Sequence, residues 1–429
     1  MTRLVNAAPR EVERSLTGIV ILLAIACGIG VSLGRSNTPF GIETAYIFAA
    51  ASAFACIHLV FVAVGFNGDQ IIMPLCAAAA IMGYASVMRL RIDLALRQLG
   101  FILIGALLLC LSALYAWRQR AQELGMPALV LAIALLVVTL IFGEERGGAR
   151  SWVFFAGVGF QPSEFAKIGC VLAGAWALGA LPSAVHGRAT RVSAYSLARE
   201  GRPLLVLAGW AAVVLLTVAQ RDVGSAMIIY ISCVAMLYVA TGDRAAVVIS
   251  AIAAVAVVWV ASRLFGHIGY RFTNWMRPWM DPSGGGYQVI QGFYAIAGGG
   301  LFGTGYGVGS PWIVPEAPTD MLFVAMAEEI GLAGSLAALT VYFLLVSEAY
   351  IAAMRMHQST RLLAAVGAAN MIAVQTFVII GGNLGVLPLT GVTLPFASYG
   401  GSSMLTSMVL LGLLMGFAAA SPRDEVHEE

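Results

Sequence analysis

Charged residues are scarce in this chain of 429 residues: 11% are Asp, Glu, Lys or Arg, whereas 60% are hydrophobic. A soluble globular protein carries about 25% charged residues, so this chain has too little charge to cover a soluble protein of its length. The composition excludes a cytosolic enzyme, a nucleic-acid binder and a disordered scaffold. It predicts an all-α polytopic membrane protein.

Residues with special chemistry are also few. Lys167 is the only lysine, the six cysteines lie in apolar runs without a CxxC spacing, and the five histidines are scattered. This pattern indicates neither a disulfide framework nor a histidine metal site. The sequence has no GxxxxGK[ST] or HExxH motif, and no GxSxG motif among its outer loops, that would indicate a soluble enzyme.

Apolar runs about 20 residues long, the length that crosses a bilayer, recur along the chain. We count twelve: 16–35, 44–64, 70–88, 98–116, 125–142, 164–181, 203–219, 224–240, 245–265, 321–347, 362–382 and 400–420. Because the first run is followed by more spans, it is not read as a cleavable signal peptide. An even count puts both termini on one side, and the arginine-rich loop 188–202 favours the cytoplasm for that side.

One connection, 266–320, is much longer than the others and is rich in Gly, Pro and aromatic residues. Long loops of this kind are functional or disordered, and the aromatic content argues against disorder. We expect a partly folded, partly re-entrant outer loop that carries most of the chemistry. In it, Asp281 precedes Pro282 and Gly284-Gly285-Gly286, so it is either a simple turn residue or a carboxylate presented with little steric cover.

Ionisable residues near apolar runs are functional candidates by default. Glu164 and Lys167 lie three residues apart on one helix face. They either neutralise each other, or Lys167 holds an anionic group while Glu164 orients it. Arg221 and Asp222 form either a solvated turn or part of a site. The carboxylates around the start of the tenth long apolar run need a cation, a proton or a basic partner: Glu316, Asp320, Glu328 and Glu329.

The segment 383–405 interrupts helix at membrane depth with Pro388, Pro395 and a Gly-Gly-Ser-Ser run. Irregular backbone is tolerated there only where it is buried in protein or lines a cavity. Freed backbone N–H groups, together with the hydroxyls of Ser398, Ser402 and Ser403, are candidates to cradle a phosphate.

These clusters, in this order, resemble the SEDS family (shape, elongation, division and sporulation) of RodA- and FtsW-type proteins, with a RodA-like leaning. The matching stretches are GARSWVFFAGVGFQPSEFAKIG, QRDVGSAM, WMDPSGGGYQVIQGFYAIAGGGLFGTGYG, VPEAPTDMLFVAMAEEIGLAG and GVLPLTGVTLPFASYGGSSML. The resemblance implies a ten-helix core with two extra N-terminal helices. The expected parts are a lead with two extra helices at 1–66, a polymerase core at 67–420 and a short cytoplasmic tail at 421–429.

The resemblance also implies a function: a glycosyltransferase that polymerises lipid II into glycan strands at the outer face of the bacterial cytoplasmic membrane. The family's essential aspartate falls on Asp281, the expected general base. Lys167, Arg150, Arg221 and Arg277 are expected near the leaving diphosphate, and a divalent cation such as Mg²⁺ or Mn²⁺ is the other candidate to stabilise its charge. Glu164 is expected to position Lys167, and the four carboxylates from Glu316 to Glu329 to fix the loop or hold the cation. A class B penicillin-binding protein, which is a transpeptidase, is the expected partner.

Two other functions fit part of the sequence. A lipid II flippase or other transporter would also use broken helices and buried carboxylates, although the polar clusters gather on the predicted outer side and no internal repeat relates the two halves. A non-enzymatic cell-wall scaffold would account for the fold but not for the particular residues.

Overall fold

The computed structural model describes residues 10–119, 121–146, 148–155, 158–181, 201–264 and 266–419. The tail predicted at 421–429, the beginning of the lead, and Arg188, Arg191 and Arg199 of the arginine-rich loop lie outside these ranges. Fourteen α-helices dominate the described part of the chain, which confirms the all-α polytopic fold. They are α1 Glu11–Ser36, α2 Ile42–Val64, α3 Ile72–Leu90, α4 Ile92–Arg118, α5 Gly125–Phe142, α6 Pro162–Leu178, α7 Gly201–Ala219, α8 Val223–Thr241, α9 Arg244–Leu264, α10 Gly266–Met276, α11 Tyr287–Gly299, α12 Leu322–Met354, α13 Ser359–Asn383 and α14 Gly401–Ala418.

Each of the twelve predicted apolar runs falls on one of these helices. Within the described ranges, ten helices are long and apolar enough to cross a membrane by length and composition. The other two runs correspond to α6, which has 17 residues, and to α9. Helix α6 begins with Pro162 in its first turn, where a missing N–H has no consequence.

The helices pack around one extended apolar core. One close approach of helices is between α4 and α14, at Gly412 and Gly416. A Cβ at Gly412 would lie 2.3 Å from the carbonyl oxygen of Leu109, and one at Gly416 would lie 2.2 Å from that of Ala113. Small residues four apart let membrane helices approach at backbone distance, so these two glycines set the spacing of the α4–α14 pair.

A small antiparallel sheet connects α5 to α6, and the sequence analysis did not predict it. Its strands are β1 Glu144–Arg146, β2 Ala149–Phe155 and β3 Val158–Phe160, in the order β1-β2-β3. The central strand contains Trp152, Val153 and Phe154, residue types that favour strands. The backbone N–H of Arg150 donates to the carbonyl of Gln220 at 2.8 Å, which attaches the sheet to the α7–α8 connection.

The two N-terminal helices are joined to the rest of the bundle by a buried charged cluster. Arg10 pairs with Glu13, and Glu13 Oε1 lies 2.7 Å from His58 Nδ1 on α2. The Arg10 guanidinium also donates to the carbonyls of Phe66 and Gly68, at 2.6 and 3.1 Å. A buried charge needs such partners to offset its desolvation. The cluster fastens α1 and α2 to the segment that leads into α3.

The connection 266–320 is largely folded. It contains α10, a 3-10 turn at Pro278–Met280, α11 and a second 3-10 turn at Pro311–Ile313. Helix α11 packs on α12, where Gly299 brings the two backbones together: a Cβ there would lie 2.2 Å from the carbonyl of Ala327. Helix α12 is kinked at Gly331, whose φ is +67°.

Candidate functional site

Four connections meet at one end of the bundle: 143–161, 219–223, 265–321 and 384–400. We call this end the polar end. Segment 384–400 and the first turn of α14 contact the other three connections or the helix start next to them. Gln161 N donates to Ser402 Oγ, at the start of the helix that follows this segment, at 3.1 Å, and Tyr399 N donates to the carbonyl of Pro318 at 2.8 Å. Gly224, after the α7–α8 turn, faces Thr390. The polar clusters of the sequence are therefore neighbours in space.

Asp281 lies in a tight turn that holds its carboxylate in one place. Its Oδ2 accepts the backbone N–H of Gly285 at 2.8 Å and is 3.5 Å from the Tyr270 hydroxyl. Its carbonyl accepts the N–H of Gly286 at 2.9 Å. Oδ1 accepts no hydrogen bond from the residues that the structure describes, and the side chain is exposed. Asp281 thus combines a fixed oxygen with a second oxygen that is open to a ligand.

The glycine run after Asp281 is required by crowding. A Cβ on Gly284 would lie 2.3 Å from Asp281 Oδ2, and one on Gly285 would lie 2.2 Å from the Tyr270 hydroxyl. A Cβ on Gly286 would lie 1.9 Å from the carbonyl oxygen of Pro278. Each contact is shorter than real Cβ atoms allow. A side chain at Gly286 would therefore displace backbone, whereas side chains at Gly284 and Gly285 would displace the Asp281 carboxylate and the Tyr270 side chain from their places in the turn.

Helix α10 attaches the Asp281 turn to segment 384–400. Trp275 Nε1 donates to the carbonyl of Gly385 at 2.8 Å, and Arg271 Nη1 donates to that of Leu389 at 3.3 Å. Tyr270, on the same helix, contacts Asp281. One amphipathic helix thereby fixes the carboxylate relative to the irregular segment.

A second acidic group, Glu316 and Asp320, lies beside this helix. The Thr319 hydroxyl contacts Glu316 Oε2 at 3.1 Å and Asp320 Oδ1 at 2.8 Å. An added Cβ on Gly391 would lie 3.7 Å from the Arg271 guanidinium and 3.9 Å from Asp320 Oδ2, so both groups face the same glycine. Burial, reinforced by the charge of Glu316, raises the pKa of Asp320 to about 6. This carboxylate therefore titrates near neutrality.

Glu164 and Lys167 form a buried network, each about 1% exposed. Lys167 Nζ donates to Glu164 Oε1 at 2.8 Å and to Gln375 Oε1 at 2.7 Å. Glu164 Oε2 accepts from Thr406 at 3.0 Å, and Gln375 Nε2 donates to Ser403 at 3.2 Å. The network joins α6, α13 and α14. For Lys167 to contact a ligand directly, these partners would have to move, and the predicted substrate role of the pair stays a prediction.

Arg150, Arg221 and Asp222 surround the α7–α8 turn. Asp222 Oδ2 accepts from Gln161 and Ser163, both at 3.0 Å, and its Oδ1 caps α8 at Ser225 N, 3.1 Å away. This is a buried capping role rather than a solvated turn.

The two arginines of this turn face outward. Arg221 adopts a φ of +65° and lies 3.6 Å from Glu145 with both side chains exposed. Arg150 Nε donates to the carbonyl of Gly143 at 2.8 Å. Arg277, on the other side of the polar end, is exposed next to the Asp281 turn.

The three candidate serines of 398–403 are buried and bonded within the protein. Ser398 donates to the carbonyl of Thr319 and accepts from Leu394 N at 3.0 Å. Ser402 and Ser403 accept from Gln161 N and Gln375 Nε2. In this conformation they fasten segment 384–400 to its neighbours. A phosphate-binding role for them stays a prediction.

Glu328 and Glu329 on α12 hold the loop that follows α11. Glu328 Oε1 accepts from Ser310 N at 2.6 Å, and Glu329 Oε1 accepts from Gly307 N at 3.2 Å. Arg89 of α3 lies 3.1 Å from Glu329 Oε1 and stacks over Trp312. These contacts fit the loop-fixing role expected from the sequence, and none of them involves the Asp281 turn.

Several residues of the site were missed by sequence reasoning. Gln375 could have been found as a polar residue inside an apolar run, which is a functional signal in itself. Tyr270 had no local signal, because its contact with Asp281 depends on how the chain turns; Gly285 was noted as part of the glycine run, but its N–H bond to the carboxylate was not predicted. In the described ranges no three His, Cys, Asp or Glu residues cluster as a metal centre would.

We next compared the whole chain with known protein families. The model of the FtsW, RodA and SpoVE family, described as a cell cycle protein, matches residues 41–422. This chain belongs to that family. It is RodA-like, as the sequence predicts.

Individual relatives cover most of the chain. Peptidoglycan glycosyltransferase RodA of Mycobacterium tuberculosis (strain H37Rv) is 32% identical over 86% of this chain and 82% of its own length. The probable peptidoglycan glycosyltransferase FtsW of Bacillus subtilis is 29% identical over 80% of this chain and 87% of its own.

Solved structures agree with these relatives. A chain from a structure described as the coordination of polymerization and crosslinking by a peptidoglycan synthase complex is 30% identical. It covers 83% of this chain and 98% of its own length, with a TM-score of 0.68. The crystal structure of RodA from Thermus thermophilus is 27% identical, covering 82% of this chain and 96% of its own, with a TM-score of 0.59.

Proposed function

We propose that this protein extends glycan strands from lipid II at the polar end, with Asp281 as the general base. As a RodA-like member of its family it is a peptidoglycan glycosyltransferase. The observation that carries the assignment of the base is the Asp281 turn: an exposed carboxylate with one oxygen fixed by Gly285 N–H and the other open.

The proposed reaction joins two lipid-linked sugars. The 4-hydroxyl of the acceptor GlcNAc attacks the anomeric carbon of the donor MurNAc, a new glycosidic C–O bond forms, and the bond to the lipid diphosphate breaks. A hydroxyl is a weak nucleophile near neutral pH, and general-base catalysis contributes about 10²–10⁴-fold. Asp281 Oδ1 takes the hydroxyl proton, while Oδ2 stays bonded to Gly285 N–H.

The leaving diphosphate needs positive charge. Arg277 is close in sequence to the Asp281 turn, and Arg150 and Arg221 lie at the α7–α8 turn; all three side chains reach solvent. Arginine is well suited to phosphate because its planar guanidinium donates in a fork. We assign the diphosphate to the space between these two groups of arginines.

A divalent cation such as Mg²⁺ or Mn²⁺ fits the acidic pair on the same end. Glu316 and Asp320 are joined through the Thr319 hydroxyl, and Mg²⁺ is commonly held by one or two carboxylates with substrate phosphates completing its shell. When bound, the cation would neutralise charge on the leaving diphosphate. The pair alone supplies too few ligands for a closed structural site, which suits a cation that arrives with its substrate.

The multi-pass membrane fold and the polar end fit a protein of the bacterial cytoplasmic membrane with both termini in the cytoplasm. The likeness to a chain of a peptidoglycan synthase complex supports a partnership with a class B penicillin-binding protein. Its transpeptidase would cross-link the strand that the polar end produces.

One pair of assays separates polymerisation from lipid transport. The purified protein, with and without its partner transpeptidase, is given fluorescent lipid II and either Mg²⁺ or Mn²⁺, and glycan ladders are resolved on gels. The same protein in liposomes is tested for transfer of lipid II between leaflets. Ladders without transfer support the proposal. Transfer without ladders in any condition would identify a flippase and overturn it.

A further inference from the structure

The first helix, α1, contacts the loop that follows α11 through a groove of small residues. Gly30 and Gly34 lie one turn apart on α1. An added Cβ on Gly30 would lie 2.9 Å from the Tyr306 ring, and one on Gly34 would lie 2.4 Å from the Tyr306 carbonyl oxygen and 2.9 Å from Gly307 Cα. Cys27, one turn before Gly30, contacts the Tyr306 hydroxyl. Tyr306 therefore fills a groove that exists because two positions of α1 have no side chain.

Helix α1 lies outside the region that the family model matches, since the match begins at residue 41 and α1 ends at Ser36. The loop that it contacts lies inside that region. The groove thus joins a helix that the family model does not include to a loop that it does include.

The loop around Tyr306 is fixed on its other side by α12. Thr304 N and Gly305 N donate to the carbonyls of Glu328 and Glu329, both at 3.0 Å. Gly305 and Gly307 adopt φ values of +88° and +90°, a region that favours glycine. The loop has a defined shape held between α1 and α12, so a displacement on the α1 side is transmitted rather than absorbed.

Helix α11 connects this loop to the Asp281 turn. Its first residues follow the glycine run that encloses Asp281, and its last residue, Gly299, accepts the N–H of Gly303 at 2.8 Å. Its 13 residues make a rod about 20 Å long. Trp279 of the turn packs edge-on against Tyr294 of α11, with ring centroids 6.0 Å apart. Movement of the loop therefore moves α11 and, with it, the Asp281 turn that precedes α11.

We propose that Tyr306, seated in the Gly30–Gly34 groove of α1, is a positioning residue: α1 sets the placement of Asp281 through the loop and α11. This rests on the proposed polymerase function. In this account α1 holds the loop in place. Loss of the contact between α1 and Tyr306 therefore lowers kcat without removing any group that touches substrate.

The test enlarges the side chain on one side of the groove and shortens it on the other, singly and together, in the full-length protein with its partner. Gly30→Leu and Tyr306→Ala should each lower kcat about tenfold and leave KM within about twofold. Because Gly30 faces the Tyr306 ring, the double variant should recover most of the loss. Gly34→Leu should not be rescued by Tyr306→Ala, since its contact is with the backbone of residue 306. Gly18→Leu on the same helix, with no atom within 4 Å of an added Cβ, is the matched control and should behave as wild type.

Hydrogen exchange gives a readout that does not depend on activity. Gly30→Leu should speed exchange of the amides of 302–310 and of the Asp281 turn, while the thermal midpoint stays equal to that of Gly18→Leu. Unchanged exchange, absence of rescue in the double variant, or a loss of rate explained fully by less folded protein would each overturn the inference. If wild type makes no glycan, the proposed function fails, and the exchange data still decide whether α1 and the turn are coupled.

Discussion

The Asp281 turn offers a substitution that should move a carboxylate and almost nothing else. In Gly284→Ala, the new methyl group would lie 2.3 and 2.6 Å from the two carboxylate oxygens of Asp281. Those atoms are the free end of an exposed side chain, and Gly284 has no positive φ that alanine would strain. The carboxylate must therefore retreat by about 1 Å, the distance needed to restore ordinary van der Waals contact, while the backbone can stay in place.

The expected magnitude follows from the role of the carboxylate. A misplacement of about 1 Å in a catalytic group can reduce the rate about 10²-fold, and loss of the whole general base costs about 10²–10⁴-fold. We expect Gly284→Ala to lower the initial rate of lipid II polymerisation about 10²-fold. Because only an exposed hydrogen bond is lost, the thermal midpoint should change by no more than about 2 °C.

Alanine substitutions at two other glycines, one in the turn and one on α11, provide the comparison variants. In Gly286→Ala the methyl group would lie 1.9 Å from the carbonyl oxygen of Pro278, so backbone must move, and both rate and thermal midpoint should fall. Gly298→Ala on α11 meets nothing within 4 Å and should keep both. A wild-type rate for Gly284→Ala would refute the claim that the position of the carboxylate governs the reaction. A midpoint as low as that of Gly286→Ala would refute the claim that the carboxylate alone moves.

Three further predictions concern the surrounding charges. Lys167→Met leaves Glu164 buried without its cation and should lower the free energy of unfolding by about 3–5 kcal/mol, with recovery in the Lys167→Met/Glu164→Met double variant; a fully stable single variant in denaturant titration would contradict this. The folded-state pKa of Asp320, raised to about 6 from 3.8, means that the folded protein binds this proton more readily than the unfolded chain. Stability should therefore rise as pH falls from 7 to 5, by about 1.3 kcal/mol, and Asp320→Asn should remove that rise; equal pH dependence in both proteins would count against it. Arg221→Gln breaks only an exposed pair and should change the free energy of unfolding by less than about 1 kcal/mol; a larger loss would show that Arg221 has a structural role in the turn.

The membrane helices could be predicted from the sequence because composition alone identifies them. A run of about 20 apolar residues has one stable solution in a bilayer, and all twelve runs fall on helices. The β1–β3 sheet was not accessible in the same way. Its aromatic strand residues lie between two spans in a stretch that is also compatible with a loop, and the hydrogen bond that attaches the sheet to the α7–α8 connection, from Arg150 N to the Gln220 carbonyl, joins residues far apart in sequence.

The roles of the side chains were likewise only partly predictable from the sequence. The clustering of the polar stretches at one end followed from their order and from the resemblance, but whether each group faces ligand or protein did not. Lys167 and Ser403 share a buried network through Gln375, a residue 208 positions from Lys167. Such long-range partners leave no pattern in the local sequence. The contact between Tyr306 and α1 could not be predicted either. Glycines four residues apart are common in membrane helices, so Gly30 and Gly34 do not by themselves indicate a partner.

The account depends most directly on Asp281 as the base. The decisive measurement is the rate of lipid II polymerisation by Asp281→Asn in complex with the partner transpeptidase. Asparagine keeps the shape of the side chain and can still accept the Gly285 N–H, so the turn should survive; Ser283→Ala, two residues away and exposed, is the matched control. The account predicts no glycan ladder from Asp281→Asn and wild-type ladders from Ser283→Ala. Ladders formed by Asp281→Asn at the wild-type rate would contradict it.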